Sequence, residues 1–344
     1  MGLQLSYRFF DLPLAHPFTI SRYTVTVQKT VIACLTDGEY TGLGEATVNP
    51  YYHSTAERLA QSFEKAKLLI EATAPIHPAE MWNIIAPELQ DDHFALCAID
   101  VAYWDWYAKK HGRTVRSFFT DKLQTPLTSY TIAIDTIDVM RRKILEKPWP
   151  VYKIKLGTPD DLAVVQSLRE ITDAVFRVDA NAAWTADQTL GYSQMLVALN
   201  VEFIEQPLNA DDLAGMAKLR SGAHLPIIAD ESCQRESDVD ACAGLFDGIN
   251  IKLMKCGGLT PALRMIQRAR SLDLLVMAGC MTESTVGISA LAQIAPLLDF
   301  LDADGAMLLS RDIATGVTFQ SGALHFADRF GTGAEWQGFQ STKC

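Results

Sequence analysis

The sequence predicts an α/β protein built on an eight-stranded (β/α) barrel, with an α+β capping domain in front of it. From Ser129 onward, short apolar runs that are typical of strands alternate with helical segments. Polar residues follow seven of these runs at intervals of 22 to 26 residues, about the length of one strand and one crossover helix. The closest alternative is an open doubly wound sheet, but Ile134-Asp135-Thr136 after the first strand carries no glycine-rich phosphate loop. The spacing therefore favours the barrel, with function at its carboxyl-terminal rim.

The same pattern divides the chain into three segments. Residues 1–122 form the predicted capping domain, a meander of strands at 3–9, 24–36 and 40–46 with helices at 56–72 and 91–110. Residues 311–344 are expected to pack back on the cap. The barrel covers residues 123–310, with predicted strands at 130–134, 152–156, 174–178, 201–204, 226–229, 248–253, 274–278 and 300–301.

Composition excludes several classes of function. The chain has 344 residues, 49% of them hydrophobic and 21% charged, which is typical of a globular protein with a large core. A net charge of −11 argues against a nucleic-acid partner. Neither a secretory signal nor an apolar run of about 20 residues is present, so no membrane association is expected. Seven cysteines without CxxC pairs favour neither zinc nor a disulfide framework, and a cytoplasmic location is expected.

Three carboxylates follow consecutive predicted strands. Asp179, Glu205 and Asp230 are 26 and 25 residues apart, and each comes directly after a short apolar run. The carboxyl ends of neighbouring parallel strands meet on one rim, so these side chains are expected to lie together. Mg²⁺ prefers oxygen ligands and keeps open positions for water or substrate. The sequence therefore predicts a magnesium site.

Four lysines flank these carboxylates. Lys153 and Lys155 lie on the second predicted strand, and Lys252 and Lys255 lie at the end of the sixth. A lysine in a barrel mouth needs acidic partners, whereas any one of them alone could be a surface residue. If Lys155 and Lys255 face a substrate from opposite sides of the ring, one can remove a proton and the other can return one. Nearby cations and partial burial lower the pKa of such a lysine, and Mg²⁺ stabilises an enediolate next to it.

Taken together, these motifs resemble those of the enolase superfamily, in the subgroup similar to muconate lactonizing enzyme. The resemblance covers nearly the whole chain and implies an enolase-like modified TIM barrel. It also implies that Asp179, Glu205 and Asp230 bind one Mg²⁺ per subunit, and that Lys155 and Lys255 are the acid/base pair. The matching motifs are Lys-x-Lys at 153–155, Asp-x-Asn at 179–181, Glu-Gln-Pro at 205–207, Asp-Glu-Ser at 230–232 and Lys-Cys-Gly-Gly at 255–258.

The eighth predicted strand distinguishes reactions within that subgroup. Asp302 and Asp304 resemble the Asp-x-Asp motif with which dipeptide epimerases hold the free α-ammonium group of the substrate. An ammonium has three donors and no acceptor, so in a dry pocket it needs a carboxylate. The alternative is that one aspartate caps a turn and the other is solvated. Lys153 and Lys252 are further candidates for substrate binding.

Specificity is expected to depend on the cap loop at residues 16–23. The resemblance places Arg22 and Tyr23 in the loop that supplies a cation for the glutamate side chain in epimerases of L-Ala-D/L-Glu. An ungapped count puts Tyr23, rather than Arg22, at the family's arginine position. Arg22 is equally well explained as a solvated loop residue. Tyr51 and His53, in a second cap loop, are further candidates.

These observations together predict a Mg²⁺-dependent dipeptide epimerase, an isomerase that inverts the α-carbon of the C-terminal residue by 1,1-proton transfer. The first substrate expected is L-Ala-D/L-Glu, a peptide of murein metabolism, and the sequence also allows a homo-oligomer. One alternative is an N-acylamino-acid racemase or o-succinylbenzoate synthase on the same scaffold, whose substrates lack the free ammonium group. The other is a non-catalytic binding protein that retains the metal site.

Overall fold

The cap consists of an antiparallel sheet covered by helices. The computed structural model describes residues 2–20 and 23–337. Three strands form the sheet in the order β1-β2-β3, and three helices follow them. Their bounds are β1 Gln4–Thr19, β2 Thr24–Thr36, β3 Thr41–Thr47, α1 Ala56–Ala72, α2 Pro78–Ile85 and α3 His93–Lys110.

The first strand is longer than the sequence indicated. β1 continues to Thr19 because it pairs with β2 along most of its length, with a register shift between Pro13 and Phe18. It lies at the edge of the sheet, where proline is tolerated because one side of the strand needs no ladder partner. Residues 16–19 of the predicted loop at 16–23 therefore belong to β1.

Eight parallel strands form the barrel. Each is hydrogen-bonded to its neighbour in chain order, and a parallel bridge between Thr128 and Leu301 joins the first strand to the last. The prediction of a (β/α) barrel with an α+β cap is confirmed. The strands are β4 Tyr130–Ile132, β5 Val151–Lys155, β6 Val175–Asp179, β7 Val201–Glu205, β8 Ile227–Ala229, β9 Gly248–Lys252, β10 Leu275–Gly279 and β11 Phe300–Asp302.

Helices surround this barrel. They are α4 Ile137–Glu146, α5 Asp161–Arg169, α6 Ala186–Ala198, α7 Leu213–Gly222, α8 Val239–Cys242, α9 Leu253–Cys256, α10 Leu259–Ser271 and α11 Thr285–Ala292. The sequence placed residue 253 on the sixth strand, but the chain turns into α9 directly after Lys252. Among the described residues no helix is long and apolar enough to cross a membrane.

Close backbone packing fixes the cap on its own helix and on the barrel. A Cβ atom at Gly44 would lie 1.9 Å from the carbonyl oxygen of Ala98, so only glycine lets β3 pack this closely on α3. On the other side of α3, Asp100 accepts hydrogen bonds from the backbone and hydroxyl of Thr260 at 2.9 Å and 2.7 Å. These contacts bring the cap loops over the carboxyl ends of the barrel strands.

The C-terminal part of the described chain contacts both units. Strands β12 Ala314–Thr315 and β15 Glu335–Trp336 pair with each other, as do β13 Thr318–Gln320 and β14 Ala323–His325. The backbone N–H of Thr332 donates to Asp105 on α3 at 2.7 Å.

Candidate active site

A cavity lies between the carboxyl ends of the barrel strands and the cap. The barrel supplies its polar wall, and the tip of the β1–β2 hairpin with the loop after β3 supplies its aromatic and apolar wall. Residues from the two sides include Lys153, Lys155, Asp230, Lys252, Asp302 and Asp304, and Phe18, Ile20, Tyr23, Val25, Tyr51 and Tyr52.

The three carboxylates predicted to bind a metal lie together below this cavity. Asp179 and Glu205 end β6 and β7, and Asp230 directly follows β8. One oxygen from each lies within 4.8 Å of the others, and all three residues are at most 1% exposed. Oxygen ligands at this spacing fit Mg²⁺. Oε2 of Glu205 accepts no hydrogen bond from a described residue, although Lys153 Nζ lies 2.8 Å away as an ion-pair partner. A buried acceptor of this kind suits a cation.

The carboxylates differ in how strongly the protein favours their charge. Burial, followed by the charge of Asp179, raises the pKa of Glu205 to about 7. Burial also acts to raise the pKa of Asp179, but Lys155 and Lys153 outweigh it and lower this pKa to about 2. Glu205 is therefore the member of the triad that gains most from another cation nearby.

Lys153 and Lys155 occupy alternate positions on β5 and point to the same side. Lys153 is 1% exposed and its Nζ lies 3.2 Å from Asp179 and 2.9 Å from Asp302. These charges, together with Glu205, outweigh burial and raise the pKa of Lys153 well above 10.5. Lys155 Nζ lies 2.6 Å from Asp179 and borders the cavity. Lys153 is thus committed to the carboxylates, whereas Lys155 also faces the space above them.

The two lysines near the end of β9 differ in position. Lys252 is the last residue of the strand, lines the cavity, and pairs with Asp230 Oδ2 at 2.7 Å. Lys255 lies on the helical turn α9, outside the cavity lining. Its ammonium donates to Asp230 Oδ1 at 2.6 Å and to the carbonyl oxygens of Asp230 and Cys233 at 2.6 Å and 3.0 Å. The structure therefore places Lys252, rather than Lys255, at the cavity, because the chain leaves the strand at residue 252.

Asp302 and Asp304 both line the cavity. Asp302 accepts from the Ser129 hydroxyl at 2.7 Å and from Lys153 at 2.9 Å. Asp304 accepts from the backbone N–H of Thr131 at 2.6 Å, and the Cys280 thiol lies 3.9 Å from its other oxygen. Burial, followed by the charge of Asp302, raises the pKa of Asp304 to about 7. Asp302 is thus engaged with a lysine, and Asp304 forms no ion pair with any described residue.

The cap candidates separate in the same way. Tyr23 and Tyr51 line the cavity, and both are partly exposed. Arg22 lies outside the described residues. His53 lies in a different cavity, beside Lys255, on the seam between cap and barrel.

Sequence analysis missed part of the wall. Cys280, Met281 and Thr282, in the turn between β10 and α11, line the cavity together with Thr131. The regular spacing of the strands places Cys280 at the rim of the barrel, and Met281 and Thr282 follow it directly in the chain.

Comparisons with known proteins agree with this architecture. Residues 6–119 match the N-terminal domain of the mandelate racemase/muconate lactonizing enzyme family, and residues 135–340 match the enolase C-terminal domain-like family. An L-Ala-D/L-amino acid epimerase of Flavobacterium johnsoniae is 48% identical, over 96% of this chain and 99% of the relative. A second protein with that name, from Maribacter, is 50% identical over 96% of this chain and 98% of its own length.

Among solved structures, a dipeptide epimerase of Enterococcus faecalis in complex with Mg and L-Leu-L-Tyr is similar. It is 30% identical, with a TM-score of 0.90, over 97% of this chain and 99% of that one. The resemblance to the muconate lactonizing enzyme-like subgroup is confirmed: the chain belongs to the mandelate racemase/muconate lactonizing enzyme family, with the enolase-like C-terminal domain of that family.

Proposed function

We propose that the protein is a Mg²⁺-dependent dipeptide epimerase that inverts the α-carbon of the C-terminal residue. The observation that carries this proposal is the convergence, at one cavity, of three lysine ammonium groups and a pair of aspartates with a carboxylate triad of which Asp230 also lines that cavity. The relatives named as L-Ala-D/L-amino acid epimerases support it.

The triad of Asp179, Glu205 and Asp230 would hold the metal. When bound, Mg²⁺ supplies positive charge beside the substrate carboxylate and stabilises the negative charge that develops there when the α proton leaves. Lys153 adds positive charge among these carboxylates, with its Nζ 2.8 Å from Glu205.

We assign proton transfer to Lys155 and Lys252. Each borders the cavity and pairs with a different member of the triad, Lys155 with Asp179 at 2.6 Å and Lys252 with Asp230 at 2.7 Å. The charge of Asp230 outweighs burial and holds the pKa of Lys252 well above 10.5, so Lys252 carries the proton that it returns in one direction of the reaction. Partial neutralisation of Asp230 by a bound cation would lower that pKa and allow Lys252 to act as the base in the opposite direction. Lys155 accepts the α proton in that direction, and the roles exchange for the other epimer.

Recognition of the dipeptide would begin at its free ammonium group. Asp304 is 2% exposed and keeps an oxygen directed to the cavity wall beside Cys280. An arriving ammonium lowers the pKa of Asp304 and forms a charge-assisted hydrogen bond with it. Asp302 adds negative charge nearby while it holds Lys153. Substrates whose amino group is acylated would lack this interaction.

The side chain of the C-terminal residue would contact the cap. Among described cap residues the lining is uncharged: it contains Phe18, Ile20, Tyr23, Val25, Gln28, Asn49, Tyr51 and Tyr52. Arg22, which lies outside the described residues, remains the candidate cation for glutamate that the sequence offers. L-Ala-D/L-Glu is therefore the first substrate to test, and L-Ala dipeptides with neutral side chains are the second group.

The proposed setting is the cytoplasm, where peptides released from murein would be epimerised. We also propose a division into three segments: a cap at residues 1–122, a barrel at residues 123–310, and a segment at residues 311–344 that packs back on the cap. Residues of the first two segments line the cavity.

The test is an incubation with Mg²⁺ and a set of L-Ala dipeptides in D₂O, with mass spectrometry for a gain of one unit at the α-carbon. Exchange on dipeptides, accompanied by formation of the second epimer, supports the proposal. Exchange confined to N-acylamino acids would replace it with the racemase alternative, and no exchange on any substrate would favour a binding protein.

A further inference from the structure

Two buried glutamates lie at the contact between cap and barrel, next to the cavity but outside it. Glu45 belongs to β3 of the cap and is 1% exposed, and Glu283 precedes α11 of the barrel and is 6% exposed. Buried glutamates without a lysine or arginine partner are rare because the charge is costly to desolvate. Neither glutamate forms an ion pair with a lysine, arginine or histidine among the described residues. Their burial therefore requires an explanation.

Glu45 is surrounded by donors. Its carboxylate accepts the backbone N–H of Ser284 at 3.0 Å, the Ser284 hydroxyl at 2.5 Å and the backbone N–H of Gly287 at 3.0 Å. The Thr30 hydroxyl also donates to it, at 2.8 Å. An ionised carboxylate is an acceptor only, so this environment suits the charged form. The N-terminus of α11 also stabilises that negative charge.

Glu283 faces the same point from the barrel side. A Cβ atom at Gly287 would lie 1.9 Å from Glu283 Oε2 and 3.2 Å from Glu45 Oε2, which makes the two carboxyl groups immediate neighbours. Glu283 Oε1 accepts the backbone N–H of Met281 at 2.8 Å. Two like charges this close cannot both be buried cheaply, so the one with fewer donors takes up a proton.

The turn that these groups hold is part of the cavity wall. Cys280, Met281 and Thr282 line the cavity, and the carbonyl oxygen of Met281 packs against Gly305, one residue after Asp304. Displacement of the turn would therefore move the residues that surround Asp304.

We propose that Glu45 and Glu283 are positioning residues, a carboxylate and a protonated carboxylic acid that together hold the turn 280–284, and with it one wall of the cavity, against the cap. The proposal rests on the proposed function only in that the cavity is where substrate binds. Glu45 fixes the turn through donors on α11, and Glu283 fixes it through Met281.

The surroundings agree with a neutral Glu283. Burial, followed by the charge of Glu45, raises its pKa well above 4.5, against the opposing effects of the Met281 N–H and of Lys252 on β9. Burial also raises the pKa of Glu45, but there the donors of Ser284, Thr30 and Gly287 oppose it and favour the charged form. The other titratable or charged groups facing the pair are Cys97 on α3, Cys280 at the end of β10, and Asp312, which accepts from Thr285 at the start of α11. Glu283 binds a proton in the folded state that the unfolded chain has already lost, so folding stability falls as pH rises above about 4.5.

The experiment compares wild type with Glu283→Gln, whose amide mimics the neutral acid, and with Glu88→Gln at an exposed glutamate as control. Urea denaturation between about pH 5.5 and about pH 8.5 gives the folding equilibrium constant of each protein. Relative to Glu283→Gln, the constant of wild type should fall by up to about tenfold per pH unit, and Glu88→Gln should follow wild type. A ratio that does not change with pH overturns the proposal, whatever reaction the protein catalyses.

Two further readouts complete the test. The infrared band of a protonated carboxyl group should be present in wild type at neutral pH and reduced in Glu283→Gln; an unchanged band contradicts the assignment. If Glu283→Gln does not fold, the same band is followed in wild type as the pH rises and compared with Glu45→Gln, in which removal of the neighbouring charge lowers the pKa of Glu283. In steady-state assays, KM of wild type should rise toward alkaline pH more steeply than KM of Glu283→Gln. Parallel KM profiles would show that the pair is structural without positioning the cavity wall.

Discussion

Replacement of Asp304 by asparagine isolates the contact with the substrate's ammonium group. Asparagine has nearly the same shape, and its side-chain oxygen can still accept the N–H of Thr131 that lies 2.6 Å from the carboxylate. The change removes one charge at a site that is 2% exposed. We expect the loss of transition-state binding to be about 2–3 kcal/mol, which is the contribution of a buried hydrogen bond to a charged group. The loss is no larger because Asp302 stays nearby. We therefore expect kcat/KM for L-Ala-L-Glu to fall by about 30-fold to about 150-fold.

The assay pairs two substrates of the same shape. N-Isobutyryl-L-glutamate has a methyl group in place of the ammonium group, so its kcat/KM should change by less than about threefold in Asp304→Asn. Circular dichroism and urea denaturation confirm that the variant is folded. An equal fall for both substrates would mean that Asp304 supports the fold of the site rather than binding the ammonium group. No fall for either would place the ammonium group elsewhere.

Three further predictions follow from the same geometry. Burial raises the pKa of Asp304 to about 7 in the free protein, so protonation of this carboxylate should weaken dipeptide binding. KM for L-Ala-L-Glu should therefore rise by up to about tenfold per pH unit as the pH falls below about 7. A flat KM between about pH 5.5 and about pH 8 would contradict this. Lys255→Met should reduce the free energy of unfolding by about 3–5 kcal/mol in urea denaturation, because it removes the cation at Asp230 Oδ1 and the ammonium donor to the carbonyl groups of Asp230 and Cys233, and unchanged stability would refute the anchoring role. Gly44→Ala should lower the Tm by several degrees, since its Cβ would lie 1.9 Å from a backbone oxygen that cannot move aside; an unchanged Tm would show that α3 shifts freely.

Much of the fold was readable from the sequence because the barrel repeats its local pattern. Each strand is buried on both faces and reads as an apolar run, and each rim residue follows at a constant interval. Asp179, Glu205 and Asp230 were found because they are strand ends, where parallel topology alone brings side chains together.

The position of Lys255 could not be predicted from the strand spacing alone. Lys252 and Lys255 are three residues apart, and the sequence does not reveal whether the strand or the following helical turn includes the second of them. A helix begins at residue 253 in the fold, and it turns Lys255 away from the cavity toward the carbonyl groups of Asp230 and Cys233. One helical turn thus decides which lysine borders the cavity.

Contacts between cap and barrel were the other feature that the sequence did not reveal. Glu45 and Ser284 are 239 residues apart, and no periodicity connects them. The length of β1 was also underestimated: the predicted strand ended at residue 9, whereas the edge strand continues to Thr19 and accommodates Pro13 and Pro17.

The most direct test of the account is α-proton exchange by single-lysine variants in D₂O with Mg²⁺ and each epimer of L-Ala-Glu. With both lysines present, either epimer should exchange its α proton and be converted to the other. Lys155→Ala and Lys252→Ala should each abolish conversion, while exchange persists from only one epimer, and from opposite epimers in the two variants. Wild-type protein that exchanges no dipeptide, or a Lys252→Ala variant that still interconverts the epimers, would contradict a two-lysine epimerase in this cavity.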